Sequence, residues 1–267
     1  MWKWEAENPQ GVVVIIHGAM EHHGRYKWLI EMWRSSNFHV VMGDLPGHGI
    51  TSRRNRGHIE TFNEYIMEVK DWIGGAMEYD LPIYVMGHSM GGLIAVRLFQ
   101  EHRLKVKGLI LSSPCLGLLR PPSMILNVLS FGLNEVRPKT KFSSGLTIDM
   151  ATKNQDIKEM DCNDSLYLTK VSVRWYRELV KSIKLAFRHS EKLQDLPLLV
   201  IQGGDDQIVD KSGVKSWFNQ VQSSDKHYKE WPHYYHEVFS EEKRDDVFQY
   251  SVNFVINQLV LDKKMKK

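Results

Sequence analysis

Short apolar runs alternate with longer amphipathic segments along much of the chain. The runs are rich in β-branched residues and end close to glycine, aspartate or serine, which is typical of buried strands in a parallel sheet. Five runs have this character: Val12 to Ile16, His39 to Met42, Pro82 to Met86, Gly108 to Leu111 and Leu198 to Ile201. The pattern therefore predicts a central sheet that is mostly parallel.

The segments between these runs are long enough for crossover helices. Three are predicted, at Tyr26 to Ser35, Thr61 to Tyr79 and Met90 to His102. Gly74 and Gly75 weaken the end of the second helix. Right-handed βαβ connections should place the helices on both faces of the sheet. Outer strands are predicted at Trp2 to Glu5 and His227 to Trp231, and a last helix at Glu241 to Leu259.

The alternation breaks from about Cys115 to His189. This stretch carries Pro121, Pro122 and Pro138, apolar helical pieces, and a longer helix around Val173 to Phe187. An insertion here lies above the carboxyl edge of the sheet, where open α/β sheets bind ligands, and long insertions are often lids. We therefore predict a single domain of 267 residues with a cap insertion at approximately 115–190.

The composition is that of a soluble globular protein and argues against nucleic acid as a partner. Hydrophobic residues make up 42% and charged residues 25% of the chain, and the formal net charge is only +3. Cys115 and Cys162 lack CxxC spacing, so we expect reduced, buried thiols in a cytoplasmic protein. No apolar stretch approaches the roughly 20 residues that cross a bilayer, so any membrane contact is expected to be peripheral.

A glycine-flanked serine lies between a predicted strand and a predicted helix. Gly87 to Gly91 reads G-x-S-x-G, which is common by chance but informative in this context. The turn is tight, so its neighbours must lack bulk, and Gly92 lets the helix pack closely. The pattern predicts that Ser89 is a nucleophile held out toward substrate.

Two later segments offer partners for Ser89. A serine nucleophile needs an imidazole to accept its proton and a carboxylate to orient the imidazole, and here the chain order is serine, acid, histidine. Asp205 and Asp206 follow the last predicted core strand, and His233 and His236 precede the last predicted helix. From the residues alone, either aspartate and either histidine remain candidates.

Seven sequence words, spread in order over nearly the whole chain, resemble those of one known family. They are His17 to Tyr26, Gly43 to Gly49, Arg56 to Ile59, Gly87 to Gly92, Asn163 to Leu166, Gln202 to Asp210 and Tyr235 to Glu241. The set resembles the monoacylglycerol lipase and lysophospholipase group of α/β-hydrolases, of the serine aminopeptidase S33 type. The resemblance implies an α/β-hydrolase fold, in which a mostly parallel sheet is flanked by helices and a helical cap is inserted after the sixth strand.

The resemblance also selects among the candidate partners. It places the acid at Asp206, with Asp210 as the second choice, and Asp205 becomes a loop neighbour. It places the base at His236 rather than His233.

Two backbone N–H groups are expected to form an oxyanion hole, which stabilises the charge that develops on the substrate carbonyl. The residue after the nucleophile, Met90, should supply one. The resemblance implies that Ala19 supplies the other.

The histidines do not form a metal motif. H-x-x-H occurs at His233 and His236, and His17, His22 and His23 lie close together, but HExxH and a closed Cys/His set are both absent from the sequence. We therefore expect no metal and no cofactor. Loop packing and hydrogen bonding are expected for His22 and His23.

Serine chemistry together with the resemblance predicts a carboxylic ester hydrolase. The expected substrates are fatty-acyl esters of glycerolipids, namely monoacylglycerols, lysophospholipids or phospholipids. A small-ester carboxylesterase or an aminopeptidase would share the same catalytic residues, and a non-catalytic binding protein on this fold is a third alternative. The apolar stretch Cys115 to Leu133 either packs as core or lines an acyl-chain channel.

Basic residues flank the apolar pieces and the C-terminus. Such residues mostly form a solvated face, but they also suit the anionic head groups of a membrane surface, so peripheral contact is a second hypothesis. They are Arg53, Arg54, Arg56, Arg120, Arg137, Lys139, Lys141, Lys263, Lys264, Lys266 and Lys267.

Overall fold

The predicted central sheet is present and has seven strands. The computed structural model describes residues 1–50, 55–120 and 124–265. The strands of this described part are, in chain order, β1 (Trp2–Trp4), β2 (Gly11–Ile16), β3 (Phe38–Met42), β4 (Ile83–His88), β5 (Gly108–Ser112), β6 (Lys141–Ser143), β7 (Lys170–Ser172), β8 (Leu198–Gly203) and β9 (Lys226–Trp231). All except β6 and β7 belong to the main sheet.

The main sheet is mostly parallel, as predicted. Its order is β1-β3-β2-β4-β5-β8-β9, and only the edge strand β1 runs antiparallel to its neighbour. Every residue of β2, β3, β4, β5 and β8 is buried, because helices cover both faces. This burial explains why these strands appear in the sequence as continuous apolar runs.

Helices flank the sheet on both sides. They are α1 (Lys27–Ser35), α2 (Asn63–Met77), α3 (Met90–Glu101), α4 (Met124–Val136), α5 (Ile148–Ala151), α6 (Gln155–Cys162), α7 (Val173–Arg188), α8 (Lys211–Gln220) and α9 (Arg244–Met265). Helices α2, α3 and α8 pack on one face, and α1 and α9 pack on the other. Helix α2 continues through Gly74 and Gly75 rather than ending there.

The last helix begins and ends later than predicted. Helix α9 starts at Arg244 rather than Glu241, because the Glu241 carboxylate accepts the Tyr235 N–H (2.9 Å) and remains in the preceding loop. It continues past Leu259 to Met265, and the apolar residues Val260 and Leu261 of this last part are exposed rather than on the buried face.

The segment between β5 and β8 rises over the carboxyl edge and contains α4 to α7. It follows the fifth strand of the chain, not the sixth as the resemblance implied, because residues 1–10 form only the single edge strand β1 before β2. Strands β6 and β7 pair in a small antiparallel sheet that the sequence did not predict. The single domain and the cap boundaries near 115 and 190 stay predictions, and Pro121 and Pro122 lie outside the described residues.

Two expectations from composition can be compared with the structure. Cys115 and Cys162 are both free, but only Cys115 is buried; Cys162 is exposed at the end of α6. The prediction of two buried thiols was therefore wrong for Cys162. Among the helices in the described part of the chain, none has the length and apolar character needed to cross a bilayer.

Candidate active site

Ser89 lies on a strained turn between β4 and α3. Its backbone has φ 51° and ψ −117°, a conformation that non-glycine residues rarely adopt. A Cβ atom on Gly87 would lie 2.5 Å from the Gly91 carbonyl oxygen, and one on Gly91 would lie 2.2 Å from that of Ile16. The two glycines therefore let the strand, the turn and the helix approach one another.

The structure brings Ser89, His236 and Asp206 together at the carboxyl edge of the sheet. The Ser89 Oγ atom lies 2.8 Å from His236 Nε2, and His236 Nδ1 lies 2.8 Å from Asp206 Oδ2. His236 follows β9 and Asp206 follows β8, so residues distant in sequence converge because their strands end at the same edge. The distances match those of a nucleophile, a base and an orienting acid.

The electrostatics of these three side chains suit a base that is stabilised when charged. Burial disfavours the imidazolium of His236, but the adjacent Asp206 carboxylate outweighs it, so the pKa of His236 lies above its ordinary value of 6.5. Burial also opposes ionisation of Asp206, but His236 and two backbone donors hold its pKa below its ordinary value. These donors are the N–H groups of Ile208 and Val209, each 2.9 Å from Asp206 Oδ1.

The alternative acids and the alternative histidine lie elsewhere. Asp205 is exposed and lies 3.6 Å from both Lys153 and His233. Asp210 caps α8, where its carboxylate accepts the Ser212 N–H at 3.0 Å. His233 is exposed, so none of these three side chains joins the Ser89 cluster.

Hydrogen bonds of two side chains, Glu21 and His17, hold the loop that carries Ala19 in place. Glu21 accepts the Gly18 N–H at 2.8 Å, and His17 accepts the Leu45 N–H at its Nε2 atom (3.0 Å). Burial lowers the pKa of His17 to about 4, which keeps this ring neutral and able to accept. Ala19 lines the cavity above Ser89 together with Met90, and oxyanion-hole roles for their N–H groups stay a prediction.

A buried ion cluster that includes the chain neighbours of Ser89 and His236 was not predicted from the sequence. Arg25 pairs with Glu21 (2.7 Å), with Glu237 (3.1 Å) and with Asp161 of the cap. His88 contributes an Nε2 atom 3.7 Å from Glu21. These residues come from distant parts of the sequence. The one sequence feature that could have indicated them is that most lie within the seven segments that resemble the family.

Two groups of side chains in the described part of the chain are close enough to share a metal ion. One is His22, His23 and Asp44, and the other is Glu21, His88 and Glu237. Both ring nitrogens of His22 already have partners, since Nδ1 accepts the Gly24 N–H and Nε2 contacts Asp164. Both carboxylates of the second group pair with Arg25. The ring nitrogens of His22 and the two carboxylates are therefore engaged within the protein, whereas His88 Nε2 is buried without a hydrogen-bond partner among the described residues.

An apolar cavity of about 130 Å³ lies between Ser89 and the cap. Its lining combines Ala19, Met20, Ser89, Met90, Cys115, Leu118, Arg120, Phe142, Ser144, Leu146, Met150, Val171, Trp175, Tyr176, Leu179, Gln207 and Ile208. Cys115 and Leu118 line this cavity, and Cys115 and Leu116 are also buried in the core. The start of this apolar stretch therefore packs as core and lines a cavity, and its role as an acyl-chain channel stays a prediction.

The basic residues differ in their surroundings. Arg56 donates to the Leu166 carbonyl oxygen at 2.9 Å and to that of Gly49 at 3.3 Å, so it joins the cap to the body. Arg120 lines the cavity, and Arg137 is exposed on the cap. Four others, namely Arg53, Arg54, Lys266 and Lys267, lie outside the described residues.

A parallel sheet with a serine on a tight strand-to-helix turn, and with an acid and a histidine on later loops, defines the α/β-hydrolase class. The serine aminopeptidase S33 family (Hydrolase_4) matches residues 7–243. The chain belongs to this family.

Named relatives are similar over most of their length. Phospholipase YtpA of Bacillus subtilis (strain 168) is 57% identical over 250 residues, which cover 93% of this chain and 96% of the relative. Monoglyceride lipase of Homo sapiens is 29% identical, over 96% of this chain and 85% of the relative. The crystal structure of Paleococcus ferrophilus monoacylglycerol lipase superposes with a TM-score of 0.86 at 27% identity, covering 96% of this chain and 98% of that one.

Proposed function

We propose that this protein is a serine hydrolase that cleaves fatty-acyl ester bonds of glycerolipids through an acyl-enzyme. The observation that carries the proposal is the 2.8 Å contact between His236 Nε2 and the Oγ atom of Ser89, a residue that lines an apolar cavity. The relatives named phospholipase and monoglyceride lipase support a lipid ester as substrate.

The reaction proceeds in two halves. Ser89 Oγ attacks the ester carbonyl while its proton passes to His236 Nε2, and the N–H groups of Ala19 and Met90 hold the oxyanion. The intermediate collapses, and His236 returns the proton to the departing alcohol. Water then attacks the acyl-enzyme with His236 again as base, which releases the fatty acid, and Asp206 orients the imidazole throughout.

The lining of the cavity favours a lipid over a peptide. Among the described residues that line it, none is a carboxylate, and most are apolar. An aminopeptidase must recognise a protonated α-amino group, which a buried site does by charge pairing. The cavity instead suits an acyl chain.

Replacing Ser89 with alanine tests the nucleophile. We expect the Ser89→Ala variant to lose about 10⁴-fold or more in kcat on a monoacylglycerol or lysophospholipid, because no acyl-enzyme forms. A fluorophosphonate probe should label the wild type at Ser89, as located by peptide mass analysis, and should not label the variant. Activity retained by this variant would remove the mechanism.

An acyl-chain series separates the proposal from its alternatives. Long-chain glycerolipid esters should exceed acetate esters in kcat/KM, and amino-acid arylamides should be poor substrates. A maximum at acetate would indicate a small-ester carboxylesterase, and efficient arylamide cleavage would indicate an aminopeptidase. A binding protein on this fold would leave every substrate intact.

We also propose that the cap contacts a membrane surface peripherally, and the cytoplasmic location stays a prediction. Phe131 and Val136 of α4 are exposed, the latter by 78%, and Arg137 follows them. Apolar side chains beside a cation suit the interface of an anionic bilayer. Replacing Val136 with aspartate should reduce co-sedimentation with phosphatidylglycerol vesicles, and unchanged binding would oppose the proposal.

A further inference from the structure

The cavity above Ser89 contains a single charged side chain among the described residues of its lining. That residue is Arg120. The other polar members of the lining, such as Ser144 and Gln207, are uncharged. A cation at the edge of an otherwise apolar cavity marks the place where a substrate can carry a negative charge.

The backbone before Arg120 is fixed against the loop that carries the triad acid. Leu118 forms a β-bridge with Val209, and the Leu119 N–H donates to the Ile208 carbonyl oxygen at 3.0 Å. This loop also supplies Gln207 to the cavity lining. Arg120 therefore extends from a segment tied to the catalytic loop.

The guanidinium is available to a ligand. Arg120 is exposed, and within the described ranges it has no ion pair with an acidic side chain. Arg25 and Arg97, in contrast, are engaged by carboxylates of the protein. A planar guanidinium presents paired N–H donors that match phosphate oxygens, and a partly apolar setting strengthens the contact.

We propose that Arg120 binds the phosphodiester of a glycerophospholipid whose acyl ester lies at Ser89, and that it makes phospholipids and lysophospholipids better substrates than neutral monoacylglycerols. The inference rests on the proposed lipid hydrolase function. Only a few bonds separate the ester oxygen from phosphorus in such a lipid, so one molecule can present the two groups to Ser89 and Arg120, which line the same cavity. Gln207 provides an uncharged donor in the same lining.

Other anionic groups fit this position less well. The carboxylate of the fatty-acid product forms at Ser89 itself, at the floor of the cavity. A monoacylglycerol offers only hydroxyl groups, which gain little from a full positive charge. The phosphodiester is the one group of these substrates that is both charged and displaced from the reacting carbon.

The test compares two substrates with the same acyl chain, lysophosphatidylglycerol and monoacylglycerol, below their aggregation limits. For the purified Arg120→Gln variant we expect the ratio of kcat/KM, phospholipid over monoacylglycerol, to fall about tenfold, mainly through KM, because the lost contact is a binding contact. Arg120→Lys should retain part of the preference for the phospholipid, since it keeps the positive charge but not the paired N–H donors of the guanidinium.

Arg188→Gln is the matched control, because it removes an exposed cation at the end of α7 that does not line the cavity. It should leave the ratio unchanged. Three results would overturn a phosphate site at Arg120: a wild type that does not prefer the phospholipid, an equal loss on both substrates in Arg120→Gln, or the same change in ratio in Arg188→Gln.

Failure of the underlying function is a separate result. If the wild type cleaves neither lipid while Ser89 still reacts with fluorophosphonate, the lipid substrate class and the phosphate site are both wrong. If the wild type cleaves monoacylglycerol without preferring the phospholipid, only the phosphate site is wrong.

Discussion

At the scale of single residues, the proposed mechanism makes activity depend on the protonation state of His236. The imidazole must be neutral to accept the Ser89 proton, and the buried Asp206 carboxylate raises its pKa above 6.5. We therefore expect kcat/KM to fall as the pH drops through an apparent pKa above 6.5. A pH–rate profile from 5 to 9 on a soluble ester measures it, and a flat profile below neutrality would contradict the assignment.

Removing the charge of Asp206 should move this profile. In Asp206→Asn no carboxylate raises the pKa of His236, so the acidic limb of the pH–rate profile shifts to lower pH. We also expect kcat to fall by about 10⁴-fold, because the imidazole is no longer held in the right tautomer. Asp205→Asn is the matched control, since this neighbour is exposed and faces Lys153 and His233. A profile that shifts with Asp205 instead would reassign the acid.

The sequence alone predicted the type of chemistry but not every residue of the candidate site. Ser89 was predicted from its glycines, because a tight strand-to-helix turn restricts its neighbours locally. The choice between Asp205 and Asp206 required the resemblance, because adjacent aspartates in one loop carry no pattern that tells which one points inward. In the structure, Asp206 is 9% exposed and Asp205 remains in solvent.

At the scale of elements, burial determined what could be predicted. The strands β2 to β5 and β8 are buried along their full length and therefore gave clear apolar runs. Strands β6 and β7 have only three residues each and include polar ones, so their sequences are typical of loops. Helix α6 lacks an apolar stripe for a related reason: its main anchor, Asp161, is a charged residue paired with Arg25.

The packing of α3 against β2 can be tested by comparing Gly91 of α3 with Gly74, an exposed glycine of α2. In Gly91→Ala the new Cβ would lie 2.2 Å from the Ile16 carbonyl oxygen, so the helix must move and stability should fall by about 1–3 kcal/mol. In Gly74→Ala the Cβ meets nothing within 4 Å on an exposed helical position, so stability should rise by about 0.5–1 kcal/mol. Urea unfolding measures both, and equal midpoints for the two variants would refute the packing argument.

At the scale of the whole molecule, one arginine connects three parts of the chain. Arg25 contacts Glu21 in the loop that carries Ala19, Glu237 next to His236 in the chain, and Asp161 in the cap. Its pKa is raised well above the ordinary value, since the three carboxylates outweigh its burial. No local pattern could reveal this contact, because it depends on how the cap is placed over the finished sheet.

Removing Arg25 should weaken the entire assembly. The Arg25→Gln variant leaves three largely buried carboxylates without their cation, and loss of one partner from such a cluster costs about 3–5 kcal/mol. Arg34→Gln is the matched control, because the Arg34–Glu31 pair is 36% and 60% exposed and should contribute less than about 1 kcal/mol. Thermal unfolding compares the two, and kcat measured well below the transition shows whether the loops are still held in place. If Arg25→Gln were as stable and as active as Arg34→Gln, the cap and the catalytic loops would have to be held together by other contacts, such as the His22–Asp164 pair at 2.6 Å.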